Sequence, residues 1–241
     1  MNPREVLERA QAEQFTWVDY YSDGTPFDAG AEEGEDEPLT LGPPLTDAQI
    51  SRFEARLPHG LPPEVKDLLT LASGFNIGAT EVAFDRYNEW GYDFLLPHVA
   101  VLSGDGRGNS WVIEINPDSG QWRHVWFQCH DPAVLIYQCE TLAEFIDAVL
   151  DLSRFEKCKA GHRSILDDID ERCAQVWRRN NRFPKAASLV NSPDPLLASF
   201  AASLHPSTAV ADLRRPARGA GFDWSPLNAG RTSVKRLGNE L

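Results

Sequence analysis

Long apolar runs are missing from this chain. Nowhere does it hold the roughly 20 consecutive apolar residues that a bilayer-crossing helix needs, so an integral helical membrane protein is excluded. The opening Met1-Asn2-Pro3-Arg4-Glu5 has neither the basic start nor the apolar stretch of a signal peptide, and the expected compartment is the cytosol. Cysteine is scarce. Cys129, Cys139, Cys158 and Cys173 are far apart and form no Cys-x-x-Cys pair, which argues against a disulfide framework or a zinc knuckle and for free buried thiols. Basic residues are few over the first 153 positions, 8 Lys and Arg against 27 Asp and Glu, a net of −19. Residues 154–241 reverse this with 15 against 9, and the whole chain carries −13. An acidic body repels nucleic acid and anionic membrane and attracts basic protein surfaces.

What is present belongs to a packed globular protein, with 42% hydrophobic and 10% aromatic residues. Residues 3–14 fit a short helix with Pro3 in its first turn and Val6, Leu7 and Ala10 on one side. An aromatic cluster follows (Phe15, Trp17, Tyr20 and Tyr21). Residues 28–38 hold six acids and almost nothing apolar, which reads as a linker. Thr46-Asp47-Ala48-Gln49 has the form of a capping box, opening an amphipathic helix over 47–57. Leu61-Pro62-Pro63 opens a second, with Val65, Leu68, Leu69 and Ala72 on its buried face and Gly74 expected as its C-terminal cap.

The pattern then turns strand-like over Glu81–Phe84, Phe94–Leu102, Ser110–Ile115, Trp122–Gln128 and Val134–Gln138. Asn116–Gly120 joins two of these as a hairpin. Thr141-x-x-Glu144 is a second capping box for a helix through Leu152, and residues 163–180 form a further helix. The fold class is therefore α+β, with an antiparallel or mixed sheet of about five to six strands packed against N-terminal and C-terminal helices. A helical and irregular extension follows. The expected division is an N-terminal helix and acidic linker (1–45), an α+β domain (46–152) and a basic extension (153–241).

Three stretches carry a resemblance to the SUKH superfamily. They are Leu61–Leu69 with Ser73-Gly74-Phe75; Gly104-Asp105-Gly106-Arg107-Gly108-Asn109-Ser110-Trp111; and Val125-Trp126-Phe127 through His130-Asp131-Pro132 to the helix at Thr141–Leu150. Two short helices, an antiparallel sheet and a closing helix, in that order, are similar to that family, which includes a fungal regulator of cell-wall synthesis and many bacterial immunity proteins. One departure is Phe75 where members often have a second glycine. The resemblance implies a binding protein rather than an enzyme, and the residues give no reason to expect a metal or cofactor. The favoured role it implies is immunity against a cognate polymorphic toxin, often a nuclease. The alternative is a regulatory or scaffolding module of the cell-wall-regulator type.

Other chemistries fit the residues less well. Gly104-x-Gly106-x-Gly108 precedes a strand, so no helix N-terminus is available to face a pyrophosphate. Its glycines are expected to serve a turn, as structural positions with Gly74, and the loop to form part of a recognition surface. Cys129-His130-Asp131 contains nucleophile, base and acid, but neighbouring strand residues point to opposite faces, which argues against a Cys/His hydrolase. Asp167, Asp168, Asp170 and Glu171 lack a calcium loop's pattern and read as a solvated helix face. The expected partner-binding residues are Glu89, Trp90, Asp93, Asp105, Asn109, Glu114, Asp118, His130 and Asp131. Trp90 is the preferred aromatic anchor. The expected partner is a basic protein, not nucleic acid or membrane, met by a monomer or weak dimer.

Overall fold

A computed structural model describes residues 1–13, 16–17, 37–77, 80–88, 96–152, 169–179, 183–217, 219–224 and 234–238. Helix α1 (Pro3–Ala12) is capped by Asn2, whose side chain accepts from the Arg4 N–H, and it buries Val6, Leu7 and Ala10. Arg4 reaches Asp67 at 2.8 Å and Arg9 reaches Asp147 at 2.8 Å, so α1 is tied to the two helices it packs on. After the two-residue strands β1 (Thr16–Trp17), β2 (Glu37–Pro38) and β3 (Thr40–Leu41) comes α2 (Asp47–Glu54). Its capping box is complete: Thr46 accepts from Gln49 N, and Gln49 answers to Thr46 N. Helix α3 (Pro63–Leu71) begins on its proline and buries Val65, Leu68 and Leu69.

Gly74 does not cap α3. The helix ends in an extended Ala72, and Gly74 opens strand β4 (Gly74–Ile77), which pairs with β3 and with β5 (Thr80–Ala83) in a three-stranded sheet. The glycine is needed for a close approach, since a Cβ there would lie 2.2 Å from the Val82 carbonyl oxygen. The Glu81–Phe84 run thus belongs to this small sheet and not to the main one.

The main sheet has six strands in the order β12-β10-β9-β8-β7-β6, all antiparallel. Here β6 is Tyr87–Asn88, β7 Val99–Gly104, β8 Ser110–Ile115, β9 Trp122–His130, β10 Ala133–Cys139 and β12 Gly221–Asp223. The β8–β9 hairpin has Asn116 Oδ1 accepting from Asp118 N and Ser119 N, with Gly120 at φ 71°. Helix α4 (Leu142–Leu152) starts where Thr141 Oγ1 accepts from Glu144 N. One sheet face, with Ala100, Leu102, Ile113, Ile115 and Val125, packs against α1 to α4 in the largest core.

The opposite face is covered by the C-terminal part. Val99, Val112, Trp126, Leu135 and Tyr137 pack with Ala211, Leu213 and Trp224. Helix α5 (Ile169–Arg179) belongs to the first face instead, beside α4, where its Cys173 and Val176 lie against Phe127, Val134 and Ile136. Helices α6 (Ala186–Leu189) and α7 (Pro195–Ala202) form a small cluster with Val210. Strands β11 (Ala209–Asp212) and β13 (Val234–Leu237) form a parallel pair. The sixth strand of the main sheet therefore comes from a segment whose composition announces no strand. Among the described residues, no helix is long and apolar enough to cross a membrane.

Candidate protein-binding surface

An antiparallel meander places alternate turns at the same end of a sheet. The β7–β8 loop and the β9–β10 turn therefore sit side by side, while the β8–β9 hairpin with Asp118 lies at the far end. Between the first two, Asn109 is the latch. It is buried, and its Oδ1 accepts from His130 N at 3.0 Å and lies 2.8 Å from His130 Nδ1. Its Nδ2 donates to Asp105 at 2.5 Å. Asp105 also accepts from Arg107 N at 2.8 Å and Asn109 N at 3.0 Å. Burial opposes its ionisation, but these hydrogen bonds outweigh it and hold the carboxyl below its ordinary range. Gly106 (φ 72°) and Gly108 (φ 91°) supply the left-handed backbone the loop needs. A Cβ at Gly108 would also press on the His130 ring at 3.2 Å. Gly104 has no positive φ, so its role is not the conformational one expected of it.

Beside this platform lies an open cleft of about 510 Å³, lined by Arg86, Tyr87, Val101, Ser110, Gln128 and the glycine loop. That volume is typical of sites that seat a small ligand or a protruding side chain. Ser110, Gln128 and Leu135 are cross-strand partners in register, so the floor of the cleft is on the sheet face that the C-terminal part covers further along. The extension also reaches the platform, where Arg107 pairs with Asp170 of α5 at 3.2 Å. Asp170, Glu171, His130 and Asp131 are all exposed there.

The structure brings together four of the nine expected contact residues: Asp105, Asn109, His130 and Asp131. Asp105 and Asn109 build the platform from within instead of presenting themselves. Asp118 is exposed but remote. Glu89, Trp90 and Asp93 lie outside the described residues. Glu114 is a correction, being 5% exposed and paired with Arg236 of β13. Opposite it, β9 carries a bulge. Glu114 pairs with Arg123 and Ile113 with Val125, leaving His124 as the extra residue at φ 61°. Its Nδ1 lies 3.6 Å from Glu114. Burial, then the Arg123 charge, push His124 below its ordinary value, although Glu140 opposes this. Neutral at pH 7, His124 is not the counter-ion. Burial also pulls the Arg236 guanidinium down to about 10, which still leaves it charged beside Glu114. A surface acid would be available to a partner; this one is matched from inside.

Strand alternation separates the Cys129-His130-Asp131 run as expected. The Cys129 thiol is buried and is pushed up by burial, the opposite of what an activated nucleophile requires. Sequence reasoning missed Arg86, Ser110, Gln128 and Asp170, because each is an ordinary polar residue until the fold gathers them at one end. Replacing Asn109 with alanine removes three contacts at once. The expected loss is about 1–3 kcal/mol, with faster amide exchange confined to 104–109 and 130. Unchanged exchange there would show that the loop holds without its latch.

Two comparisons bear on this geometry. Residues 44–148 match the model of the SMI1 / KNR4 family (SUKH-1), and the match encloses both loops of the platform. No curated protein matches the chain.

Proposed function

Since residues 44–148 place this chain in the SUKH superfamily, we propose that it is a non-enzymatic protein-binding module acting in the cytosol, an immunity protein that holds a basic cognate toxin at the loop end of its main sheet. The observation that carries this reading is the latched pair of turns beside the cleft. Loops held rigid on a sheet are the usual carriers of recognition, and pre-ordering them lowers the entropic cost of binding. Exposed Asp131, Asp170 and Glu171 provide charge of the sign a basic surface seeks, on a body of net −13. Rim charges of this kind act mainly on the encounter rate, while the cleft supplies a pocket for a side chain that anchors the complex.

The test reads the neighbouring open reading frames for a polymorphic-toxin gene and takes its product as the probe. Binding should weaken by about tenfold or more as salt is raised from about 50 to 500 mM. Asp131→Lys should slow association by about tenfold at low salt while dissociation changes little. Gln128→Trp, which fills the cleft from its floor, should instead speed dissociation. Salt-independent binding, or indifference to both substitutions, would move the contact surface elsewhere. Cells protected by an Asp131→Lys, Gln128→Trp double variant as well as by the parent would refute the immunity role assigned to this end.

A further inference from the structure

Cys129 on β9 and Cys173 on α5 share one apolar cluster with Phe127, Val134, Ile136 and Val176. They are 3% and 1% exposed, and within that cluster each thiol is the other's neighbour. Helix α5 is seated tightly there: a Cβ at Gly221, on the neighbouring β12, would lie 3.1 Å from Val176 Cγ2. One sulfur belongs to the family-matched segment and the other to the C-terminal part, far apart in sequence. We propose that Cys129 and Cys173 are a disulfide-forming pair, a redox modification site that covalently clamps α5 to the main sheet.

The chemistry needs a disulfide oxidant, for which oxidised glutathione serves. One cysteine thiolate attacks a glutathione sulfur and releases one glutathione as its thiolate. The other cysteine thiolate then attacks the protein sulfur of that mixed disulfide and releases the second. Two electrons pass from the protein to the oxidant, and the two protons end on the released glutathiones. Both protein thiols are buried, and burial raises the pKa of each, so neither reacts in the closed structure. Oxidation therefore waits for α5 to lift, and its rate follows that local opening. Closing the bond fixes Asp170 of α5 next to Arg107 and the strand that ends in His130, so the oxidised form has a stiffer platform end.

The experiment incubates the reduced full-length protein with oxidised glutathione and maps the product by mass spectrometry. The expected product is about 2 Da lighter, with a peptide joining Cys129 to Cys173. It should melt roughly 5 °C higher or more and return to the starting value with dithiothreitol. Oxidation should quicken in sub-denaturing urea. Cys129→Ser and Cys173→Ser should each abolish the product, whereas Cys139→Ser and Cys158→Ser should not. If native α5 opens too rarely, refolding from the reduced denatured state with the same oxidant should yield the same pair. Recovery of both as free thiols or glutathione adducts in a folded product of that refolding, or a pairing with Cys139 or Cys158, would overturn the proposal.

Discussion

Arg236→Met should cost about 3–5 kcal/mol of stability, because it strands a buried carboxylate without its counter-charge. Glu114 is 5% exposed, and neutral His124 cannot replace the guanidinium. Losses of this size are a large share of a typical domain's stability, so urea unfolding should show a clear drop in midpoint. The double variant Glu114→Leu, Arg236→Met removes both charges and should recover most of the loss, since an apolar pair of similar volume is often as stable as a buried ion pair. Equal stability of single and double variants would mean that the arginine, not its pairing, matters. His124 adds a pH signature. Its folded-state pKa lies below its unfolded value near 6.5. The unfolded state therefore binds the proton first as pH falls. The stability is complete above that value and is lost as pH drops through it toward the folded pKa. His124→Gln should flatten this slope.

Gly74→Val is expected to be nearly as damaging, at about 3 kcal/mol or more. The added Cβ would sit 2.2 Å from the Val82 carbonyl oxygen and 3.0 Å from Ala83 Cα. Both are backbone atoms of the paired strand β5, so relief means parting β4 from β5. Phe75, Ile77 and Val82 on those strands belong to the main core, and the loss should appear as exchange of the β4 and β5 amides together. A variant with native thermal stability would show that the two strands separate at little cost.

Local signals are legible wherever a residue's partner is near in sequence. The Thr46 and Thr141 caps, the Pro63 helix start and the Asn116–Gly120 hairpin all depend on groups within a few residues, and each can be read from the order of amino acids alone. Gly74 is easily misread because a glycine after a helix has two uses, and choosing between them needs the position of Val82. Glu114 shows the deeper limit. In Ser110–Ile115, alternation puts Glu114 on the face opposite Ile113 and Ile115, which is the solvent side of an ordinary one-sided sheet. That side is covered by residues about a hundred positions later, and nothing local to β8 reveals it. Strand β12 escapes for the same reason, as three residues beginning with glycine form a strand only when β10 offers its backbone. The platform is half legible. Its loops stand out by their glycines and acids, but the latch through Asn109 and the contribution of Asp170 exist only in three dimensions.

The addition of β12 to β10 has a bearing on solubility. A seven-residue strand with unpaired N–H and C=O groups along its length is a template for intermolecular pairing, and natural sheets shield such margins. Here Gly221–Asp223 shield Val134, Leu135 and Ile136, and Gly219, Ala220 and Trp224 bond the backbone of Tyr137 and Ala133 on either side. A fragment ending at residue 152 retains the full family match yet bares that margin together with Trp126 and Leu135. It should aggregate or dimerise strand to strand, since in the full chain the C-terminal part is what covers that margin.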